Sequence, residues 1–334
     1  MKAVGLVQGK FADLDLPKPV AAGRDLLVRV KAVSVNPVDV KQRAARAAAE
    51  TEPKVLGWDA SGVVEAAGAE ARLFRPGDEV FYAGSLSRPG CNSEYHLVDE
   101  RIVGHKPRTL THVQAAALPL TSITAWDSLF DRCGVSADPG RNASKAVLII
   151  GGAGGVGSIA TQIAARIAGL TPIATASRDE SIRWCREMGA GHVINHKNLL
   201  KDELAKTPFP AVHYILCCNS LELYVSQMAD IIQPQGRICS IIRAKDDQPL
   251  QINALMYKSA GFEWELMFTR PMFQTEDMQQ QHELLERVSQ LVDQGTIRTT
   301  MREDFGELNA ENLAKAHARI QSGEMIGKLV LSVP

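Results

Sequence analysis

The residues most suggestive of chemistry form the run Gly151-Gly152-Ala153-Gly154-Gly155-Val156-Gly157, with a G-x-G-x-x-G spacing at Gly152, Gly154 and Gly157 directly after the apolar stretch Ala146 to Ile150. A sharp strand-to-helix turn requires glycine where the backbone reverses. Close approach of a pyrophosphate needs a missing side chain, and the third glycine lets helix and strand pack tightly. The segment behind the loop, Ser158 to Ala168, carries Ile159, Ile163 and Ile167 on one stripe and stops at Gly169, which predicts an amphipathic helix whose N-terminus faces the phosphates. A dinucleotide is the ligand this pattern predicts, with Gly152, Gly154, Gly155, Val156 and Gly157 lining it. The next strand should end at Ala176 and is followed by Ser177 and Arg178. A guanidinium there suits a 2′-phosphate, so we expect NADPH over NADH. Asp179 fits either an acid that binds ribose hydroxyls or a helix N-cap.

These residues need a scaffold. Strands are predicted at Lys145 to Ile150, Thr171 to Ala176, His192 to Asn195, Ala211 to Cys218, Arg237 to Ile242 and Phe262 to Phe268, with helices at Ser158 to Ala168 and from about Glu180 to Met188. That alternation predicts a doubly wound, mostly parallel sheet. The first third reads differently. Arg29 and Lys31 alternate with Val28, Val30 and Ala32 in Leu26 to Ser34, and further short strands are expected at Lys2 to Val7, Ser61 to Ala67 and Asp78 to Ala83, the pattern of a small antiparallel barrel. Thr111 and Gln114 have capping-box spacing at the start of a helix. Beyond the parallel sheet, a helix at Glu276 to Gln294, a strand near Arg298 to Arg302, a helix at Ala310 to Gln321 and a strand at Lys328 to Val333 should return to the first domain. Arg43 to Glu50 reads as a surface loop. No internal repeat is present.

Composition narrows the class. The 334 residues carry 37 Lys and Arg against 38 Asp and Glu, a net charge of -1 with both signs dispersed, so general nucleic-acid binding is not expected. No apolar stretch approaches the roughly 18 residues of a membrane span, and the first residues lack a signal-peptide core, which gives a cytoplasmic expectation. Six scattered cysteines without C-x-x-C spacing read as reduced, packed thiols.

Several longer motifs carry a resemblance that runs nearly end to end: Ser34-Val35-Asn36-Pro37-Val38-Asp39, Leu56 to Val64, Phe74 to Val80, Leu118-Pro119-Leu120-Thr121, Gly152 to Gly157 and Gly327-Lys328-Leu329-Val330. The chain resembles the medium-chain dehydrogenase/reductase superfamily, and within it the zinc-free quinone oxidoreductase branch. The resemblance implies an α/β protein with a Rossmann doubly wound parallel sheet plus a GroES-like β-barrel domain. Its divisions would be 1–120 (GroES-like), 121–270 (Rossmann) and 271–334 (returning to the first), with an active site in the cleft. Where zinc-dependent members have cysteine and histidine, this sequence has Asn36 and Trp58, and the stretch Tyr82 to His96 carries only Cys91. Neither an indole nor a neutral amide suits zinc, so no metal is expected.

Without a Lewis acid, a conjugated acceptor is the fitting substrate, because a quinone or an α,β-unsaturated carbonyl disperses the arriving charge itself. By resemblance, Asn36 and Asp39 lie near nicotinamide and substrate, and Thr124 lies beside the cofactor. Asn36 could donate to a carbonyl oxygen, and Lys41 or Tyr82 could supply a proton. Each also has a structural reading as a turn, a cap, a surface charge or a core aromatic. Matching segments place further cofactor contacts at His196, Asn219, Ile241, Ile242, Phe268, Thr269 and Lys328. A homodimer paired through the last strand of the parallel sheet is also implied. Two other readings stay open: a zinc-dependent alcohol dehydrogenase with atypical ligands, and a non-catalytic NADPH-binding regulatory or structural protein.

Overall fold

The computed structural model describes residues 1–46, 52–245 and 248–334. It divides into two compact units, Met1–Ile123 with Phe268–Pro334, and Thr124–Met267. Among the described residues, no helix is long and apolar enough to cross a membrane.

The second unit is built on a six-stranded sheet in the order His192–Ile194, Thr171–Thr175, Ala146–Ile150, Val212–Cys217, Ile232–Ser240, Gly261–Trp264, with every neighbouring pair parallel. Its central strand Ala146–Ile150 is buried throughout, as a parallel strand covered on both faces must be. Strand order reverses between Ala146–Ile150 and Val212–Cys217, which opens a crevice at their C-terminal ends. Two boundaries of this sheet differ from expectation by more than two residues. The fifth strand starts at Ile232 because its pairing with Val212–Cys217 resumes after a bulge. The sixth ends at Trp264, since Glu265 beyond it is buried in an ion pair with Arg132 at 2.6 Å and Leu266 turns to solvent.

The first unit contains a seven-stranded sheet. Its path runs Met301–Glu307, Lys328–Ser332, Asp25–Ser34, Ala60–Ala67, Glu79–Tyr82, Val103–His105, with Tyr95–Asp99 also on Asp25–Ser34. All pairs are antiparallel except Met301–Glu307 with Lys328–Ser332. A separate three-stranded sheet joins Lys10–Asp15, Lys2–Val7 and Lys54–Val55. Strand Lys10–Asp15 escaped sequence reading because its half-exposed face shows no apolar alternation. Val28, Val30, Val64, Val80, Leu329 and Leu331 meet in one core, while Arg29 faces solvent as the alternation demanded. Helix Pro37–Arg46 follows Asn36, with proline at its first position. Of the loop expected at Arg43 to Glu50, residues 43–46 belong to that helix, and 47–50 lie outside the described residues. Thr111 and Gln114 do form a reciprocal capping box, at 3.3 and 3.1 Å.

Candidate active site

The glycine run of the second unit makes a tight strand-to-helix turn. Gly151 adopts φ +84°, and its N–H donates to Thr175 Oγ1 at 3.0 Å, which ties the loop to the neighbouring strand. A Cβ on Gly152 would lie 2.6 Å from Ala174 Cβ, and one on Gly157 would lie 2.3 Å from Gly151 O. These two glycines serve internal packing. Gly154 differs, because its nearest obstacle is Gly151 O at 3.4 Å and the space around it is otherwise open. Helix Gly155–Arg166 starts directly from Gly154, three residues earlier than the sequence predicts, with no side-chain cap. The uncapped first turn leaves N–H groups and the positive helix end for an anion. Asn219 and Cys218 flank the loop, their Cβ atoms 3.5 Å from the position of a Gly151 Cβ. Ser177 and the exposed Arg178 follow the second strand. Arg178 is the N-cap residue of helix Asp179–Met188, with Asp179 in its first turn.

A second constellation occupies the first unit and follows from strand register. Val330 pairs with Ser34 in the antiparallel ladder, so Lys328 comes opposite Asn36. Val33 pairs with Ala60, and Ser34 N–H donates to Asp59 O at 2.9 Å, so Asp59 stands on the other side. The Lys328 ammonium donates to Asn36 Oδ1 at 2.5 Å, Asp59 Oδ2 at 3.0 Å and Val35 O at 3.2 Å. Asn36 Nδ2 donates to Asp59 Oδ2 at 3.1 Å and Ser34 O at 3.4 Å, while Asp59 Oδ1 accepts the Leu120 N–H at 3.0 Å. All three residues are buried, at 3% exposure or less. Burial pushes the Asp59 carboxyl upward, and the Lys328 ammonium, the Leu120 N–H and the Asn36 amide oppose that. Asp39 is adjacent: its Oδ2 accepts the Asn36 N–H at 2.5 Å, and its buried Oδ1 has no hydrogen-bond partner. Burial raises this carboxyl to about 7, against the pull of the Asn36 N–H and Lys328.

Comparison with known proteins places the chain. A model described as an alcohol dehydrogenase GroES-like domain matches residues 22–108, and one described as zinc-binding dehydrogenase matches residues 188–331. A zinc-type alcohol dehydrogenase-like protein of Staphylococcus aureus is 47% identical over 316 residues, 95% of this chain and 93% of its own. The chain belongs to the medium-chain dehydrogenase/reductase superfamily. Among solved structures, a Rhizobium etli protein provisionally assigned as a zinc-dependent alcohol dehydrogenase matches with TM-score 0.93 at 50% identity, over 99% of this chain and 98% of that one. The quinone oxidoreductase from Coxiella burnetii matches with TM-score 0.81 at 26% identity, over 100% and 99%.

As a medium-chain oxidoreductase, the protein has a distinctive set of side chains at the positions discussed for zinc. Trp58 is buried, its indole N–H donates to Ser85 O at 2.9 Å, and its ring meets Phe268 edge-on at 6.4 Å. The Lys328 ammonium already lies against the Asn36 amide oxygen, where a divalent cation would meet like charge. Among the described residues, no three His, Cys, Asp or Glu side chains group as a metal site. This donor set does not fit zinc.

The other expected site residues scatter. Lys41 is exposed on helix Pro37–Arg46. Tyr82 is fully buried, stacked on His96 at 5.5 Å with its hydroxyl 3.1 Å from His96 Nδ1, and burial holds its phenol well above the usual range. Thr124 is buried in helix Pro119–Trp126. His196 is half-buried after the third strand, burial lowering its pKa, and Ile241 and Ile242 are half-buried after the fifth. Thr269 opens helix Thr269–Phe273. Sequence reading did not single out Asp59. The available signal was a lone acid in the apolar run Leu56 to Val64, which burial obliges to find a cation, and Lys328 is the lone cation of an equally apolar strand.

Proposed function

We propose that the protein is a zinc-independent, NADPH-dependent oxidoreductase that transfers hydride to a quinone or an α,β-unsaturated carbonyl. The reading is carried by the side chains at the two sequence positions where zinc-dependent members have ligands: Trp58, whose indole N–H donates to Ser85 O, and Asn36, whose amide oxygen is held by the Lys328 ammonium. With no Lewis acid supplied by these residues, an unactivated carbonyl lacks stabilisation for its developing charge, whereas a conjugated acceptor delocalises it. Bound NADPH would supply the hydride. The glycine loop and the uncapped turn at Gly155 would hold its pyrophosphate, Ser177 and Arg178 its 2′-phosphate, and His196, Asn219, Ile241, Ile242, Phe268 and Thr269 would line it. Thr124 would hydrogen-bond the carboxamide or ribose.

The test is NADPH oxidation with a quinone, an enone and an aliphatic ketone, each with and without a chelator. Turnover of the conjugated acceptors that is indifferent to chelation supports the reading. Chelator-sensitive reduction of the aliphatic ketone overturns it and favours a zinc-dependent alcohol dehydrogenase. No turnover with any acceptor favours a binding protein.

We also propose a homodimer paired through Gly261–Trp264, the edge strand of the parallel sheet, beside which Trp264 and Leu266 are each 49% exposed. Light scattering at the mass of a single 36.3 kDa chain would refute it.

A further inference from the structure

Four sequence motifs far apart in the chain end on one buried hydrogen-bond hub. Asn36 comes from the first, Asp59 from the second, the Leu120 N–H from the third and Lys328 from the last, with sequence separations of 23, 61 and 269 residues between Asp59 and its three donors. Two consequences follow from counting donors. Each of the three ammonium N–H bonds of Lys328 has an acceptor inside this unit, so none is left for a cofactor phosphate. Both N–H bonds of the Asn36 amide also have acceptors, which leaves no free donor there for a substrate carbonyl.

We propose that Lys328 and Asp59 are a positioning pair: a built-in ammonium–carboxylate cross-link that performs the organising work of a metal ion, fixing Asn36 and the turn into helix Pro37–Arg46, and not a cofactor contact. The pair holds Asn36 from both ends of its amide, with the ammonium on the oxygen and the carboxylate on the nitrogen. Since Asn36 N–H in turn anchors Asp39, the orientation of the helix entry depends on the same two charges. The Leu120 N–H extends the cross-link to the start of helix Pro119–Trp126. The kinetic part of this proposal rests on the reductase reading above; the cross-link itself does not.

The experiment compares Lys328→Met with the double variant Lys328→Met/Asp59→Asn. The single variant leaves an uncompensated buried carboxylate, and its unfolding midpoint should fall sharply. The double variant is neutral at both positions and should recover most of that loss. In the double variant, NADPH affinity should stay within about threefold of wild type, because no cofactor contact has been removed. Amide hydrogen exchange in residues 33–41 should accelerate about tenfold while residues 146–157 are unchanged, because the Asn36 clamp has gone. With a quinone or enone, kcat should fall about tenfold or more with little change in KM for NADPH. A tenfold weaker NADPH affinity in the folded double variant would make Lys328 a cofactor contact and overturn the proposal. So would wild-type exchange and kcat in the double variant, or its failure to fold, since a neutral pair of similar shape should be tolerated. If wild type reduces neither acceptor class, the reductase reading falls and the kcat comparison is silent, but exchange and cofactor affinity still decide the cross-link.

Discussion

The glycine loop of one unit and the charged hub of the other contrast in almost every physical respect. The loop is made of backbone: its features are absent side chains, an uncapped helix end and open space around Gly154. The hub works through side chains whose donors and acceptors are nearly all satisfied and shielded from water. One region keeps uncapped N–H groups and open space; the other completes itself. Ligand sites and positioning devices are therefore distinguished by their remaining hydrogen-bond capacity more than by the residue types they contain.

The largest expected effect breaks the hub directly. Asp59→Ala should lower unfolding free energy by about 3–5 kcal/mol, because it strands the Lys328 ammonium in the core, and denaturant titration reads the loss. A shift below 1 kcal/mol would mean that the pair is not buried as described.

Next comes acid sensitivity, which should also belong to the first unit. His317 is fully buried with neither ring nitrogen hydrogen-bonded, and burial lowers its pKa to about 4. The unfolded chain therefore binds a proton that the folded one refuses between pH 6.5 and about 4, and stability falls as pH drops through that window. A His317→Phe variant should lose on the order of 2–3 kcal/mol less than wild type over this range, measured by denaturation at each pH. Asp39, whose carboxyl burial raises to about 7, acts in the opposite sense, its contribution weakening as pH rises through that value. An Asp39→Asn variant should remove that slope.

Within the loop, two alanine substitutions should separate packing from ligand contact. Gly157→Ala places a methyl 2.3 Å from the Gly151 carbonyl oxygen and should destabilise the protein by about 1–3 kcal/mol. Gly154→Ala should leave the melting temperature nearly unchanged, since φ is -72° and the nearest atom is 3.4 Å away, yet weaken NADPH about tenfold in a fluorescence titration. Equal effects of the two on stability would erase the distinction. Comparable in size to the Gly154 effect is Arg178→Ala, which should reduce the preference for NADPH over NADH by about tenfold with little change for NADH. An unchanged ratio of affinities would assign discrimination elsewhere.

This contrast also explains what could be read from the amino acids. Gly152 to Gly157 sit within one local turn, and Ala146 to Ile150 and the Ile159, Ile163 and Ile167 stripe announce the flanking strand and helix within a short span of chain. Thr111 and Gln114 are likewise three residues apart. Helix Gly155–Arg166 begins three residues before its expected start because its first turn, Gly155-Val156-Gly157, carries no apolar period. The hub is a different case. Lys328 and Asn36 are 292 residues apart and meet only through the register of three neighbouring strands, so their types were visible and their partnership was not. That is why Lys328 reads from the sequence as a phosphate ligand and Asp59 goes unnoticed. Tyr82 shows the same limit: a tyrosine suggests a proton source, and only its burial against His96 shows where its hydroxyl points.

The indole of Trp58 has an evolutionary corollary. Replacing it with histidine alone would give up the indole's hydrogen bond to Ser85 O, and replacing Asn36 with cysteine alone would give up the amide that bridges Lys328 and Asp59. A zinc ligand set at these positions therefore takes more than one substitution, because each single exchange removes a buried hydrogen bond before a second ligand is in place.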